Sequence, residues 1–398
     1  MKVGIVGLGY VGIVTGAVLS NNGYEVKGVD TDTNKVDNLR NGRNIIYEPE
    51  LESYLKRGNI EFSNDYSVLD DVEITFISVP TPTIRGKIDR SYVFNAAEAV
   101  SNVNKNDIVI KSTVTPGTAS EIMHRVQNNV LSNPEFLSEG NAIYDSIHPD
   151  RVVIGGNKTE LVENIWAFTK APILKTTNEN AELIKYASNA FLATKISFIN
   201  EIANICEKTP NSDVEVVAKG MGYDRRIGSL FLKAGIGYGG SCFPKDTEAL
   251  LSYARSLGEK MKIVQAAEKV NNTRIKSILA FLEGKYGRIS GMNILQLGLS
   301  FKENTDDIRE SPALRLYRSL SERGARVAVF DPKKSPVRVN WCDSIAQCLE
   351  GKDLIIIATE WPEFKLLEKM DIRVPIMDGR RILDPKKFID YSGVGFND

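Results

Sequence analysis

The amino-terminal stretch Lys2-Val3-Gly4-Ile5-Val6-Gly7-Leu8-Gly9-Tyr10-Val11-Gly12 decides the fold of the first part of the chain. Residues 2–7 predict a short apolar strand, residues 13–22 a helix and residues 25–30 a second strand. The three glycines at 7, 9 and 12 fall in the turn between strand and helix, where a pyrophosphate can approach the backbone at a helix N-terminus. The pattern therefore predicts a βαβ unit that binds a dinucleotide.

Asp30 closes the second predicted strand of this unit. A carboxylate at that position can accept hydrogen bonds from the adenosine ribose hydroxyls, and it would repel a 2'-phosphate. NAD is therefore favoured over NADP. An ordinary glycine turn is the alternative for the glycine motif taken alone, but here the strand, the helix, the second strand and the acid coincide.

The composition excludes several classes of function. The chain has 398 residues, with 50 basic and 51 acidic side chains and a formal net charge of -1, so no overall field attracts nucleic acid or an anionic membrane. The chain enters its first strand at once and has no apolar run of membrane-spanning length, which favours a cytoplasmic protein. The two histidines, at 124 and 148, have no metal-ligand spacing, so no metal site is expected. The cysteines at 206, 242, 342 and 348 form no C-x-x-C pair and are interpreted as free thiols.

The middle of the chain predicts loops at a ligand-binding sheet edge and then one long helix. Apolar strands at 74–79 and 108–112 each end in a loop rich in Thr and Pro, and such loops follow the carboxyl ends of strands, where ligands bind in open α/β sheets. Turn chemistry alone is the alternative. Residues 178–208 predict a helix on which Lys185 and Asn189 lie one turn apart on the same face. That face is either simply solvated or functional, and so long a helix is also a candidate dimer contact.

The last third predicts a second α/β domain. Strands are expected at 292–298, 326–331 and 353–358, with a helix at 312–323, but a second G-x-G-x-x-G is lacking. A different nucleotide or a nucleotide sugar is the more plausible ligand there. The predicted fold class is α/β, with two Rossmann-like doubly wound domains joined by a long central helix. The expected domains are 1–177 for NAD, 178–275 for the helical segment with the cysteine loop, and 276–398 for the nucleotide sugar.

Cys242 is the candidate nucleophile. It follows the glycines at 235, 237, 239 and 240 and precedes Lys245 and Asp246. A nearby cation favours the thiolate, and a nearby carboxylate can orient water for a later hydrolysis. A thiolate can hold an aldehyde covalently while a second hydride leaves. The alternative reading, an inert packed thiol, suits the other three cysteines better.

These motifs together resemble the UDP-glucose/GDP-mannose dehydrogenase family of nucleotide-sugar dehydrogenases over essentially the whole chain. The matching segments are residues 7–12, 79–83, 111–114, 133–140, the helix with Lys185 and Asn189, residues 239–246, and Phe301-Lys302 with Asp306, Arg309, Glu310 and Ser311. The versions at 135–140 and 188–193 are more similar to the UDP-glucose branch than to the GDP-mannose or N-acetylhexosamine branches.

The resemblance implies an NAD-dependent, two-step oxidation of UDP-glucose to UDP-glucuronate through a thiohemiacetal and a thioester on Cys242. It implies that Lys185 and Asn189 surround the oxygen at C6, with Lys185 either a base or an electrostatic stabiliser, and that Thr113, Glu139 and Asp246 surround a water. The implied catalytic residues are Cys242, Lys185, Asn189, Asp246, Glu139 and Thr113.

The resemblance also implies two sets of binding residues. Those for the cofactor are Gly7, Gly9, Tyr10, Val11, Gly12, Asp30, Lys35, Thr83, Thr113, Glu139 and Arg309. Those for the substrate are Glu135, Phe136, Leu137, Glu139, Lys185, Asn189, Arg226, Phe231, Lys233, Gly239, Phe301, Lys302 and Arg381. In the family an arginine reaches the substrate of the neighbouring subunit, which implies a homodimer in which Arg226 has that role.

Three alternatives remain open from the residues. Another nucleotide sugar, such as a UDP-N-acetylhexosamine or GDP-mannose, could replace UDP-glucose. A single-hydride hydroxyacid dehydrogenase would need neither Cys242 nor residues 276–398. A regulator that binds a nucleotide sugar without turnover would not need an intact Cys242, Lys185 and Asn189.

Overall fold

The computed structural model describes residues 1–84 and 87–397. It consists of two compact units, one formed by Met1–Ser188 with Glu248–Gly258 and the other by Asn189–Thr247 with Glu259–Asp398. The domain boundaries expected from the sequence remain a prediction.

The first unit is built on a mixed sheet. The sheet strands are β1 (Lys2–Val6), β2 (Glu25–Val29), β3 (Ile60–Ser63), β4 (Ile74–Ile77), β7 (Asp107–Ile110), β8 (Val130–Ser132), β9 (Val152–Gly155) and β10 (Ile173–Thr176), while β5 (Thr83–Ile84) and β6 (Lys87–Ile88) form a separate antiparallel pair. The sheet order is β10-β9-β8-β7-β4-β1-β2-β3. The six neighbouring strands β8-β7-β4-β1-β2-β3 pair in parallel. Counted along the chain, the parallel part has the order 3-2-1-4-5-6 of a dinucleotide-binding sheet.

Helices alternate with these strands. They are α1 (Tyr10–Asn21), α2 (Thr33–Arg40), α3 (Leu51–Arg57), α4 (Ser91–Val103), α5 (Thr118–Met123), α6 (Ala142–Ile147) and α7 (Glu160–Trp166). Both faces of the sheet are covered, because Val3 and Ile5 of β1 belong to one buried apolar cluster and Val6 belongs to another. Such two-sided burial is why the strands read as continuous apolar runs.

A long helix, α8 (Asn178–Cys206), contributes residues 178–188 to the first unit and 189–206 to the second. The second unit continues with β11 (Ser212–Asp213), α9 (Val214–Gly222), α10 (Phe243–Ser256, whose residues from 248 belong to the first unit) and α11 (Lys262–Tyr286). It is completed by β12 (Asn293–Leu297), α12 (Pro312–Glu322), β13 (Arg326–Phe330), α13 (Ile345–Leu349), β14 (Leu354–Ile357), β15 (Ile376–Asp378), β16 (Tyr391–Gly393) and β17 (Phe396–Asn397).

The five-stranded sheet of the second unit is wholly parallel, with the order β13-β12-β14-β15-β16, and β11 and β17 form a separate antiparallel pair. Counted along the chain this is 2-1-3-4-5, the other common doubly wound order. Its two faces are also covered, since Ile294 packs in one apolar cluster and Leu295 in another. The predicted fold class, two Rossmann-like domains with a long central helix, is confirmed.

One expectation about the cysteines is wrong. Cys342 and Cys348 form a disulfide, with Cα atoms 6.1 Å apart. That separation is within the range a disulfide can bridge, and Cys348 lies in the short helix α13. Cys206 and Cys242 form no disulfide among the described residues, as expected. Within residues 1–84 and 87–397, no helix has the length and apolar character needed to cross a membrane.

Candidate active site

The glycine loop of the first unit leaves room for a phosphate at the start of α1. Gly9 is the residue before α1, and a Cβ built on it would have no heavy atom of the described chain within 4 Å. A Cβ on Gly12 would instead lie 1.9 Å from the carbonyl oxygen of Gly7, so only glycine permits this close packing. The space above Gly9 and the helix N-terminus suit the pyrophosphate of a dinucleotide. The residues present therefore fit the predicted cofactor.

Asp30 is fixed beside this loop at the end of β2. Its Oδ2 accepts hydrogen bonds from the backbone N–H of Leu8 at 2.8 Å and from Nζ of Lys35 at 2.7 Å. The structure thus brings together Asp30, Lys35 and the glycine loop.

Tyr10 ties the start of α1 to the loop that carries Glu139. Its hydroxyl hydrogen-bonds the carboxylate of buried Glu48 and accepts from the backbone N–H of Gly140 at 2.8 Å. Glu48 also accepts from the backbone N–H groups of Gly140 and Ala142, each at 2.7 Å. The sequence analysis did not identify Glu48, because no local pattern distinguishes it from a surface acid.

Lys185 and Glu135 form a buried ion pair in the first unit. Nζ of Lys185 donates to Oε1 of Glu135 at 2.9 Å, while Oε2 of Glu135 accepts from the backbone N–H of Leu137 at 2.7 Å. Burial alone would raise the pKa of Glu135, but Lys185, the Leu137 N–H and Lys111 together hold that pKa below its ordinary value. The ring of Phe136 lies 5.5 Å from Nζ of Lys185. Glu135 lies in the loop after β8.

Lys111, at the end of β7, is a second buried cation near this pair. Its Nζ donates to Oδ1 of Asn133 at 3.2 Å and lies 4.6 Å from the ring centroid of Trp166. Burial, with Lys185 as a like charge, lowers the pKa of Lys111 to about 8, although Glu135 acts in the opposite direction. No functional role was assigned to Lys111 from the sequence.

The other predicted site residues of the first unit lie in four different segments. Thr113 is half-exposed in the loop after β7, which is held by a 2.7 Å hydrogen bond from the Ser112 hydroxyl to the carbonyl of Val79. Thr83 lies in β5, and its buried hydroxyl has no hydrogen-bond partner among the described residues. Val11 lies in the first turn of α1, and Glu139 lies in the turn before Gly140.

Cys242 immediately precedes the first residue of α10 in the second unit. Its side chain is partly exposed, and Sγ lies 3.6 Å from Oγ of Ser241. The partial positive charge of a helix N-terminus stabilises a thiolate. Sequence reasoning placed Cys242 in a flexible loop and missed the helix start, although Pro244 in the first turn is a typical signal for one.

Asp246, in the first turn of α10, is held by two predicted neighbours. Its Oδ1 accepts from Nζ of Lys245 at 2.7 Å, and its Oδ2 accepts from Nδ2 of Asn189 at 2.6 Å. The Asp246 side chain is only 1% exposed. Asn189 therefore connects α8 to the turn that carries the cysteine.

Three side chains that sequence reasoning missed anchor the glycine-rich loop at 235–240. The amide of Asn271 accepts from the backbone N–H of Tyr238 at 2.8 Å and donates to its carbonyl at 3.1 Å. Arg274 donates to the carbonyl of Gly235 at 2.8 Å, and Asn200 accepts from the N–H of Gly235 at 2.9 Å. Asn271 and Arg274 lie three residues apart among the buried residues of α11. Polar residues at such positions indicate buried hydrogen bonds, and this spacing was the signal that could have found them.

The same loop packs against the segment after β12. A Cβ on Gly240 would lie 2.8 Å from the ring of Phe301, and one on Gly239 would lie 2.3 Å from the carbonyl of Glu310. Nζ of Lys302 lies 5.8 Å from the ring centroid of Phe301. The structure therefore brings the predicted residues Gly239, Phe301 and Lys302 together.

Phe231 and Lys233 precede this loop. Phe231 has a left-handed backbone with φ of 64°, and its ring lies 6.1 Å from that of Phe243. Lys233 lies 3.7 Å from Glu360. A cavity of about 260 Å³ adjoins this segment and is lined by Val214, Glu215, Ala218, Lys219, Ser229, Leu232, Lys233, Ala234 and Arg381.

The three predicted arginines differ in their surroundings. Arg309 is paired with Asp307 through hydrogen bonds of 2.5–3.0 Å and Arg226 with Asp224 at 2.6 Å; the Arg226 side chain is 85% exposed. Arg381 is only 2% exposed, and it contacts Asp213 at 2.8 Å and Glu215 at 3.5 Å. Its charge is thus already balanced by two acids within the second unit.

Comparison with known proteins places the chain in a family. Residues 1–170, 179–273 and 295–387 match, respectively, the NAD binding domain, the central domain and the UDP binding domain of the UDP-glucose/GDP-mannose dehydrogenase family. The chain belongs to the UDP-glucose/GDP-mannose dehydrogenase family. The predicted resemblance, the dehydrogenase class and the NAD cofactor are confirmed.

Members of the UDP-glucose/GDP-mannose dehydrogenase family resemble the chain over nearly its whole length. UDP-glucose 6-dehydrogenase YwqF of Bacillus subtilis is 42% identical, covering 92% of this chain and 89% of its own. UDP-glucose 6-dehydrogenase of Rickettsia felis is 41% identical, covering 96% and 93%. The solved structure of a UDP-glucose dehydrogenase from Pyrobaculum islandicum is 37% identical, with a TM-score of 0.93 over 99% of this chain and 98% of that one.

Proposed function

We propose that this enzyme oxidises UDP-glucose to UDP-glucuronate in two NAD-dependent steps through a covalent bond to Cys242. The observation that carries the proposal is the position of Cys242 at the N-terminus of α10, four residues before an Asp246 that Asn189 and Lys245 hold in place. An enzyme that stopped after one hydride transfer would need no such thiol.

The proposed cofactor site comprises the loop from Gly7 to Gly12 with Asp30 and Lys35, together with Thr83, Thr113, Glu139 and Arg309. Open space above Gly9 and the anchored carboxylate of Asp30 support this assignment. NAD, when bound, accepts one hydride in each of the two oxidations.

The first oxidation removes a hydride from C6 and a proton from its hydroxyl, leaving an aldehyde. Lys185 and Asn189, one turn apart on α8, are proposed to surround the C6 oxygen. In this structure Lys185 is ion-paired to Glu135, which favours a charged Lys185 that stabilises negative charge on oxygen.

The Cys242 thiolate then attacks the aldehyde carbon, and the oxygen gains a proton to give a thiohemiacetal. Loss of the second hydride from that carbon and of the hydroxyl proton gives a thioester. Water adds to the thioester, the carbon–sulfur bond breaks, and the carboxylate and the free thiol result. Asp246 with Thr113 and Glu139 is proposed to orient this water.

The proposed substrate residues are distributed along the chain. Glu135, Phe136, Leu137 and Glu139 come from the first unit, and Phe231, Lys233, Gly239, Phe301 and Lys302 from the second. Lys302 and the 235–240 backbone are suited to an anionic diphosphate, because a cation and closely approachable N–H groups occur together. The guanidinium of Arg381 is ion-paired with Asp213 and Glu215. Arg381 is therefore proposed to affect the substrate indirectly, by holding Glu215 in the lining of the cavity.

A homodimer is proposed, with Arg226 completing the neighbouring site. Exposed apolar side chains at Phe191, Phe198 and Ile205 recur every seven residues along α8, and they are 65%, 47% and 60% exposed. A stripe of this kind on one helix face is typical of an interface between chains. The high exposure of Arg226 leaves it accessible to a second copy.

We propose a cytoplasmic location, because oxidised NAD and nucleotide sugars are metabolites of that compartment. The Cys342–Cys348 disulfide is the observation against it, since cytosolic thiols are normally kept reduced. Alkylating the thiols during lysis and measuring the mass of the 342–348 peptide tests this. Alkylation of both cysteines would support a cytoplasmic location. An intact disulfide in freshly lysed cells would contradict it.

The stoichiometry of NADH tests the reaction. Two NADH formed per UDP-glucose consumed is expected, and a ratio of one contradicts the double oxidation. The same assay over a panel of UDP- and GDP-sugars tests the substrate; faster turnover of a UDP-N-acetylhexosamine or of GDP-mannose would reassign it.

Mixed dimers test the shared site. Cys242→Ser and Arg226→Ala homodimers are each expected to be inactive, whereas a mixture that exchanges subunits should regain activity through the site that combines a native Cys242 with a native Arg226. No recovery in a mixture shown to contain heterodimers contradicts the role of Arg226 across the interface.

A further inference from the structure

A pair of glutamates occupies the ligand-binding edge of the second sheet. In the order β13-β12-β14-β15-β16, the chain leaves β12 and β14 in opposite directions, and ligands of doubly wound sheets bind outside the carboxyl ends of two such strands. Glu303 follows β12, and Glu360 follows β14. Neither acid was assigned a role from the sequence.

Glu360 lies between two cations. Its Oε2 is 3.7 Å from Nζ of Lys233 and 3.7 Å from Nε of Arg380, and the side chain is 18% exposed. Arg380 is itself fixed, because its Nε donates to the carbonyl of Ala358 at 3.0 Å and its Nη2 to that of Phe301 at 3.4 Å. Glu360 therefore helps to position Lys233, one of the proposed substrate residues.

Glu303 hydrogen-bonds the side chain of Glu360. Two carboxyl groups can share a hydrogen bond only if one of them carries a proton. Oε2 of each acid is buried and has no other hydrogen-bond partner among the described residues. The pair is thus a place where a proton is held beside the proposed phosphate-binding residues.

The charges around the pair assign the proton to Glu303. Burial and the neighbouring Glu360 carboxylate raise the pKa of Glu303 to about 7, with Lys302 acting weakly in the opposite direction. Burial would also raise the pKa of Glu360, but Arg380, Lys233 and Lys302 hold it below its ordinary value. Three cations thus face two acids that titrate as a pair.

We propose that Glu303 and Glu360 share one proton, and that binding of the anionic diphosphate of the nucleotide sugar draws this proton onto the pair, so that substrate affinity falls as the pH rises. The inference rests on the proposed function, in which Lys302 and the 235–240 loop receive the diphosphate. Glu303 and Glu360 are positioning residues here, because they act through Lys233, Lys302 and Arg380.

The sign follows from the charges. The shared proton raises the local net charge by one, which favours an incoming anion, and the anion in turn raises the proton affinity of the acids. Binding therefore takes up protons in the pH range where the free pair has lost its proton. UDP-glucose itself has no group that titrates near neutral pH, so an observed uptake would belong to the protein.

Calorimetric titration of the full chain with UDP-glucose, in buffers of different ionisation enthalpy, measures this uptake directly. For the wild-type protein we expect about 0.3 to 0.6 proton taken up per substrate between about pH 7 and pH 8, and a fall in affinity of about 3- to 10-fold between about pH 6.5 and pH 8.5. Glu303→Gln keeps a hydrogen bond to Glu360 but cannot titrate, so its uptake should vanish and its affinity should change little with pH. Glu363→Gln, an exposed acid after the same strand, is the matched control and should behave as the wild type.

The outcomes separate this inference from the proposed function. Binding of UDP-glucose without proton uptake, or with the same uptake in Glu303→Gln as in the wild type, overturns the role of the pair and leaves the proposed function intact. If UDP-glucose fails to bind the wild-type protein, both are overturned. If Glu303→Gln does not fold, Glu360→Gln replaces it: without the neighbouring carboxylate Glu303 no longer holds a proton near neutral pH, so the uptake should vanish in that variant too.

Discussion

Nζ of Lys185 lies 2.9 Å from Oε1 of Glu135, and both side chains are buried. The pair joins the long helix α8 to the loop after β8, which are far apart in sequence. Burial of either charged side chain away from water is costly, and the ion pair offsets part of that cost for both. This offset sets the first expectation.

Glu135→Ala is expected to lower the free energy of unfolding by about 3–5 kcal/mol, because it removes the carboxylate that pairs with the buried Lys185 side chain. Urea unfolding followed by circular dichroism measures the change. Glu52→Ala, which breaks an ion pair exposed on α3, should have no detectable effect. Equal effects of the two substitutions would show that burial of the Lys185 pair is not what matters.

Cys242→Ser is expected to reduce steady-state NADH formation by at least about 1,000-fold while UDP-glucose still binds, because the hydroxyl is a far poorer nucleophile than the thiolate. Cys206→Ala, the other free cysteine, lies in the core and should retain activity. Stopped-flow absorbance and binding calorimetry give the two readouts. Undiminished turnover in Cys242→Ser would remove the covalent step.

Gly9→Val is expected to leave the fold intact and to weaken NAD binding on the order of 100-fold. The backbone at Gly9 has φ of -75°, which any residue adopts, and a Cβ there meets no neighbour, so only an incoming pyrophosphate is obstructed. Gly284→Val, at another uncrowded position in α11, is the control. Fluorescence titration with NADH compares them, and equal affinities would place the pyrophosphate elsewhere.

The stability of the protein is expected to carry a pH dependence from Lys111. Burial lowers its pKa from 10.5 to about 8, so between these values the unfolded chain binds more protons than the folded one. Stability from this group is therefore complete above about pH 10.5 and is lost as the pH falls through about 8, by about 3 kcal/mol in all. The free energy of unfolding of the wild type relative to Lys111→Met should rise by that amount from pH 7 to pH 10. A constant difference would mean that Lys111 titrates normally.

The fold was largely predictable because its strands are short apolar runs between glycine-rich turns. The strands of both large sheets were predicted from these apolar runs. The long helix α8 was predicted from the absence of Gly and Pro over 178–208. The start of α1 was predicted three residues late, since Gly12 looked like a turn residue but lies inside the helix, packed on Gly7. The Cys342–Cys348 disulfide could not be predicted, because spacing alone does not show that the chain turns back between them.

Site residues within one motif were easier to predict than those that support the motif from elsewhere. Asp30 and Lys35 lie close to the glycine loop in sequence, and their contact follows from local structure. Asn271, Arg274 and Glu48 act through tertiary contacts across long stretches of chain, and nothing in their local sequence records those contacts. The same holds for Glu303 and Glu360, which meet only because β12 and β14 are neighbours in the sheet.

The parallel pairing of the central strands bears on how this protein refolds. β1 pairs Val3 with Ile74 and β12 pairs Ile294 with Leu354, so each partner strand must wait until an intervening crossover has been made. No hairpin can nucleate either of these pairings, and the loop-closure entropy must be overcome first. We expect recovery of native fluorescence after dilution from urea to take seconds or longer, with aggregation competing as protein concentration rises. Complete recovery within milliseconds would show that local contacts, rather than these distant strand pairs, limit the rate.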